Sequence, residues 1–161
     1  MDFQQRLEQA VIHAVSNLLD TMIPMSFKRA TTDVDGSVDG ACSHLLGTID
    51  VHGKLSGSIA VSMPTPLAMD MASLMLDETI SDVTDDVYET VAEMTNIIAG
   101  GIKTFLSQQE EIFVLGLPQV LELARFDVPT DSRRLSVPIE TEKGRFVVVS
   151  SLYESPVDVT A

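Results

Sequence analysis

An acid and an amide stand three residues apart in one segment of the chain, as Glu93 and Asn96. On a helix, residues at this spacing have Cβ atoms about 5–6 Å apart, so the two side chains can act on one site. The carboxylate carries a negative charge, whereas the carboxamide donates and accepts hydrogen bonds without carrying any charge. The pattern therefore raises the possibility of one polar site on a helix surface.

These two residues belong to the longest helical pattern in the chain, from residue 81 to residue 109. Acidic residues fill its first turns, where the helix dipole favours negative charge, and we expect the helix to begin near Asp82. Apolar residues at helical spacing mark the side that faces the core: Val87, Val91, Met94, Ile98 and Phe105. Glu93 lies about 200° and Asn96 about 140° round the helix from Val91, so both are predicted to be exposed.

The predicted exposed face continues along the helix. Its members follow one another at intervals of three or four positions: Glu89, Glu93, Asn96, Gly100 and Lys103. Gly100 and Gly101 stand one turn after the pair, where glycine costs about 1 kcal/mol relative to alanine. One interpretation is that these glycines let another backbone approach closely. The alternative is that the acid and the amide are ordinary solvated residues and that the glycines accommodate packing against the sheet.

The sequence around the pair resembles the helix signature of a known family. Residues 87–104 read VYETVAEMTNIIAGGIKT, which is similar to the signature of the CheC, CheX and FliY family of chemotaxis phosphatases, especially the CheX type. The opening amphipathic helix, the strand LSGSIAV at residues 55–61 and Pro118 also have counterparts in that family. CheC-type members carry a second Glu-x-x-Asn helix in the first half, and this chain has none there. We therefore expect one active centre per chain.

The resemblance implies a phosphatase that removes the aspartyl phosphate of a CheY-like receiver domain. Asn96 would position the attacking water, and Glu93 would pair with the lysine of the receiver's active site. The predicted partner contacts on the same helix are Glu89, Ile97, Gly100 and Lys103. The chain would need no metal or cofactor of its own, because Mg²⁺ would belong to the receiver, where it neutralises charge on the phosphoryl oxygens.

Two other functions fit the same resemblance. A non-catalytic adaptor would bind a receiver domain or a flagellar switch component, and it would not need the intact pair of Glu93 and Asn96. A self-associating structural module is also possible, because CheX-type members dimerise by joining sheets edge to edge, and an exposed strand edge invites such contact. We expect a homodimer.

The remaining elements predict an α+β fold in which long helices cover one face of a mostly antiparallel sheet. A first helix, which ends before Pro24, has the expected buried stripe Phe3, Leu7, Val11, Ala14, Leu18 and Met22. Further elements follow in chain order, namely strands at Leu45–Val51 and Leu55–Met63, a short helix at Leu67–Leu76, and strands at Val120–Val128, Leu135–Glu140 and Phe146–Leu152. A helix followed by a hairpin thus occurs once in each half, which suggests a weak internal pseudo-twofold symmetry.

Composition narrows the class of protein. The 161 residues are 45% hydrophobic, which is typical of a globular chain, and we predict a single domain over residues 1–161. The net charge of −14 opposes binding to nucleic acid and to anionic membranes, whose affinity for proteins comes from clustered Lys and Arg. Cys42 is the only cysteine, and the three histidines show no ligand spacing, so we predict no metal site. We predict a cytoplasmic protein.

Overall fold

The computed structural model describes residues 2–30, 42–107, 113–131 and 133–155. Three helices lie within these ranges: α1 (Phe3–Thr21), α2 (Thr65–Leu76) and α3 (Asp85–Leu106). The same ranges contain seven strands: β1 (Phe27–Arg29), β2 (His44–Gly53), β3 (Leu55–Pro64), β4 (Phe113–Leu115), β5 (Gln119–Leu123), β6 (Leu135–Thr141) and β7 (Gly144–Glu154). No helix in the described part of the chain is long and apolar enough to cross a membrane.

The strands form one sheet in which neighbours run antiparallel, in the order β1, β6, β7, β3, β2. The outer edge of β2 pairs with β4 along one part and with β5 along another. The hairpins β2–β3 and β6–β7 meet at the centre, where β3 pairs with β7. Their turns contain Gly53 and Gly144, whose φ values of 146° and 149° suit glycine. The hairpin predicted in each half is confirmed.

The core lies between the helices and one face of the sheet. Residues that pair across strands share a face, because side chains alternate along a strand. Ile49 on β2 pairs with Ile59 on β3, and Val61 on β3 pairs with Val148 on β7; each of these four is buried. The helices α1 and α3 pack against each other over this layer. The predicted α+β fold with helices on a mostly antiparallel sheet is confirmed.

The buried stripe of α1 is shorter than predicted. Its middle members Leu7, Val11, Ala14 and Leu18 are buried, whereas Phe3 is 36% and Met22 44% exposed. Phe3 is the first residue of the helix and Met22 follows its last residue, so both extend past the edge of the core. The helix begins at a capping box, in which the Asp2 side chain accepts a hydrogen bond from the Gln5 backbone N–H at 2.8 Å.

Several element boundaries differ from the predictions, most of all those of α3 and β5. Helix α3 begins at Asp85 rather than near Asp82, with Thr84 as its N-cap residue. The helix ends at Leu106, so Ser107 lies beyond it, and residues 108 and 109 of the predicted pattern lie outside the described residues. Strand β5 ends at Leu123, before the predicted end at Val128. Beyond this end, Phe126 packs its ring against that of His44, with ring centres 5.8 Å apart.

Candidate functional site

Helix α3 rests on the sheet at Thr95, which lies against Gly47 of β2. Thr95 is fully buried, and its hydroxyl donates a hydrogen bond to the Val91 carbonyl oxygen at 2.7 Å. A Cβ atom at position 47 would lie 2.0 Å from Thr95 Oγ1 and 3.3 Å from Val91 Cγ1. Glycine on this strand therefore lets α3 approach β2 closely, which fixes the height at which the adjacent Asn96 stands above the sheet.

A second close contact holds α3 against α1. A Cβ atom at Gly101 would lie 2.7 Å from Ala14 Cβ and 3.0 Å from Ala14 Cα. Gly101 thus serves internal packing, as the alternative interpretation proposed, but its neighbour is α1 rather than the sheet. Gly100 differs, because no atom lies within 4 Å of the position that its Cβ would occupy. The space beside Gly100 is open, as a close approach by another molecule would require.

These two contacts define which sides of α3 are covered by the sheet and by α1, and therefore which side is free. At about 100° per residue, Gly101 lies about 240° round the helix from Thr95, whereas Asn96 lies about 100° and Glu93 about 160°. The pair therefore points away from both the sheet and α1. Glu93 and Asn96 are exposed, as predicted. Among the described residues, neither side chain has a hydrogen-bond or ion-pair partner.

The predicted partner contacts fall into two groups by exposure. Glu89 is exposed, whereas Gly100 and Lys103 are half-buried. Ile97 is half-buried as well and packs against the core, so only part of its side chain reaches the surface. The helix places all four beside the pair, and Lys103 stands in its last turn.

The N-terminal half of the exposed face of α3 is acidic. Asp85 and Asp86 occupy the first turn of α3, and Glu89 and Glu93 follow at successive turns. Like charges four residues apart destabilise a helix by about 0.2–0.5 kcal/mol. The arrangement suits a partner that presents a positive charge, since such a partner would remove this repulsion.

Two of the three histidines have structural partners. The ring of His13 lies 5.5 Å from that of Phe105, and His44 Nδ1 lies 2.9 Å from the Cys42 carbonyl oxygen. Within the described ranges, no group of three or more His, Cys, Asp or Glu residues is arranged to hold a metal ion.

The sequence predicted the exposed pair but missed the residues that position it. Gly47 and Ala14 act through contacts with α3 that depend on how distant segments pack. One signal was available, because a glycine inside a strand often marks a close approach of another element. It did not indicate which element approaches.

Comparison with known proteins matches the part of the chain that contains this helix to a family model. A family model described as chemotaxis phosphatase CheX matches residues 45–140, a range that contains all of α3 and all but the first residue of β2. No curated protein matches the chain.

Several solved structures share the fold. Chemotaxis protein CheX from Vibrio vulnificus is 18% identical, with a TM-score of 0.79 over 95% of this chain and 100% of that chain. A CheC-like superfamily protein from Shewanella sp. PV-4 is 21% identical, with a TM-score of 0.77 over 95% and 99%. The CheX–CheY–BeF3–Mg²⁺ complex from Borrelia burgdorferi matches with 22% identity and a TM-score of 0.66 over 95% and 99%. At these identities the similarity is one of fold.

Proposed function

The chain belongs to the CheX family of chemotaxis phosphatases, and we propose that it acts, as a single CheX-like domain, on the aspartyl phosphate of a CheY-like receiver domain. The observation that carries the proposal is the geometry of Glu93 and Asn96. Both are exposed and without a partner among the described residues, on a helix fixed from two sides. An acid and an amide presented in this way are available to another protein.

In the proposed reaction, Asn96 holds the attacking water. The water oxygen forms a bond to phosphorus while the bond from phosphorus to the aspartyl oxygen breaks, which yields inorganic phosphate and a free carboxylate. A carboxamide suits this position, because it orients water through hydrogen bonds without bringing charge toward an anionic phosphoryl group. Positioning of this kind can supply several kcal/mol of the barrier reduction.

Glu93 has a different role in the proposal. Its carboxylate pairs with the lysine of the receiver's active site and so fixes the angle at which Asn96 enters. It is an orienting residue rather than a general base. The open space at Gly100 admits the receiver backbone, and Glu89, Ile97 and Lys103 complete the contact surface.

The nature of the partner is supported by the Borrelia burgdorferi complex, whose CheX is bound to CheY with BeF3 and Mg²⁺. We infer that a receiver docks on α3 of this chain in the same general way. Mg²⁺ would then be supplied by the receiver and would neutralise charge on the phosphoryl oxygens. The chain itself would contribute two side chains and no cofactor.

The decisive experiment follows the decay of acyl phosphate on purified receivers, with and without this protein. Asn96→Ala should return the decay to its spontaneous rate, while circular dichroism and the melting temperature stay those of the native chain. Asn17→Ala is the matched control, since Asn17 is an exposed asparagine on α1. Native rates in the Asn96 variant would contradict the proposal. Binding without faster decay would favour a receiver-binding adaptor instead.

We also propose that the chain forms a homodimer through the edge of the sheet that carries β4 and β5. The opposite edge, β1, is protected by ion pairs, since Lys28 contacts Glu140 and Arg29 contacts Glu8. The β4–β5 edge instead exposes apolar side chains: Val114 (52%), Leu117 (86%) and Leu121 (44%). Leu121→Lys should shift the mass measured by light scattering from dimer to monomer, and a native chain that is monomeric would contradict the proposal.

A further inference from the structure

One stretch of β7 lacks a strand along one of its edges. The last pair between β6 and β7 joins Leu135 to Ser150, but β7 continues to Glu154. On the other edge, β3 accompanies β7 to its end, where Leu55 pairs with Glu154. Among the described residues, no strand therefore pairs with the β6 side of residues 151–154.

Beside this free edge, residues that come shortly before β6 line a cavity of about 1010 Å³ together with β7. This volume lies just above the usual range for small-molecule sites, about 300–1000 Å³. The Asp131 carboxylate links two of the lining residues, because it accepts hydrogen bonds from the Arg133 backbone N–H at 3.0 Å and from Arg134 Nε at 2.9 Å.

The lining of the cavity is positively charged, which is unusual in a chain of net charge −14. Arg133 and Arg134 both line it, against the single carboxylate of Asp131. Arg134 forms an ion pair with Asp131, whose pKa its guanidinium lowers by hydrogen bonding, so the carboxylate stays charged and holds Arg134 in place. Arg133 is exposed, and within the described ranges its guanidinium has no ion-pair partner.

The other lining groups add hydrogen bonds and an aromatic surface. Ser58 and Ser151 pair across β3 and β7, and both line the cavity. The edge of a sheet can bind anions through its backbone N–H groups. Tyr153, which is 57% exposed, contributes a ring on which a planar group can stack.

We propose that this cavity binds a small phosphate-bearing ligand of nucleoside monophosphate size. The planar guanidinium of Arg133 binds the phosphate through paired hydrogen bonds, with Arg134 beside it. The planar base of such a nucleotide stacks on the ring of Tyr153. The site is built from β3, β7, the segment before β6 and the start of α1, so it is separate from the Glu93 and Asn96 pair on α3.

The test is isothermal titration of the full chain at low salt with AMP, inorganic phosphate and adenosine. AMP should bind, phosphate should bind more weakly, and adenosine should bind least. Arg133→Gln should lower the affinity for AMP at least tenfold, whereas Arg125→Gln should leave it unchanged. Arg125 is a fair control, because it is an exposed arginine paired with Asp127 away from the cavity. Tyr153→Ala should weaken AMP binding and spare phosphate binding.

Some outcomes would overturn the assignment. They are no binding of AMP or phosphate to the native chain, equal AMP affinity in the Arg133 variant, or adenosine binding as tight as AMP binding. The melting temperature of each variant checks that it is folded. The titration contains no receiver, so its result does not depend on the proposed phosphatase activity.

Discussion

Thr95 of α3 fills the space that a side chain at position 47 of β2 would occupy, with its Oγ1 only 2.0 Å from where a Cβ would stand. Thr95 directly precedes Asn96 in the chain, so one peptide bond links the contact with the sheet to the proposed water-binding group. Any change in the height of Thr95 above the sheet also moves Asn96.

Gly47→Ala should therefore impair both stability and activity. Overpacking of a well-packed core costs about 1–3 kcal/mol, which urea denaturation would measure. The rate of receiver dephosphorylation should fall by more than the loss of folded protein explains. Displacement of a catalytic group by about 1 Å can lower the rate about a hundredfold. Gly116→Ala is the control, since its Cβ would meet Asp50 atoms at 3.6–3.9 Å, an ordinary contact distance. Unchanged activity in the Gly47 variant would show that Thr95 does not set the position of Asn96.

The adjacent glycines of α3 should respond to alanine with opposite signs. Gly101→Ala should destabilise the chain, because the new methyl group would lie 2.7 Å from Ala14 Cβ. Gly100→Ala should raise the free energy of unfolding by up to about 1 kcal/mol through helix propensity, since nothing lies within 4 Å of its Cβ. The same Gly100 variant should weaken receiver binding in a pull-down or titration. A variant that is more stable and binds normally would remove Gly100 from the docking surface.

Loss of the Glu93 charge should act mainly on docking. A hydrogen bond to a charged group contributes about 1.5–3 kcal/mol, so Glu93→Gln should weaken receiver affinity by at least tenfold. In steady-state assays, KM should rise by more than kcat falls. Glu78→Gln, which changes an exposed glutamate outside α3, supplies the comparison. If kcat alone fell, Glu93 would be acting in the chemical step instead.

Acid should weaken the β1–β6 edge through Glu140. Hydrogen bonds from Arg145 and then from Lys28 lower the pKa of this carboxyl below its usual 4.5. A lowered pKa in the folded state stabilises the fold above the ordinary pKa, and the stabilisation disappears as pH falls through the folded-state value.

Melting temperatures across pH would test this relation. Glu140→Gln should destabilise the chain at about pH 7, and the difference from native should shrink steadily below about pH 4.5. Glu78→Gln, on an exposed glutamate outside the sheet, corrects for the change in net charge. A difference that is the same at all pH values would mean that the ion pairs at Glu140 do not contribute.

The sequence predicted what is local and periodic. The spacing of apolar residues on α3 was enough to place Glu93 and Asn96 on the exposed side, and the turn glycines marked both hairpins. The close contact between Thr95 and Gly47 could not be predicted, because it depends on how a strand some fifty residues earlier in the chain packs beneath the helix. The roles assigned to the pair came from family resemblance and stay proposals, since exposure alone does not distinguish an active site from a solvated surface.

The acidic face around the pair also affects which phosphorylated compounds can reach it. Asp85, Asp86 and Glu89 stand on the same helix as Glu93, so a free acyl phosphate meets repulsion there rather than a binding pocket. Under the proposed function, only a macromolecule that brings its own cations would present a phosphoryl group to Asn96. Small phosphorylated metabolites should therefore persist in the presence of this protein. The selectivity for a protein substrate would come from the repulsion by this acidic face as well as from Glu93 and Asn96.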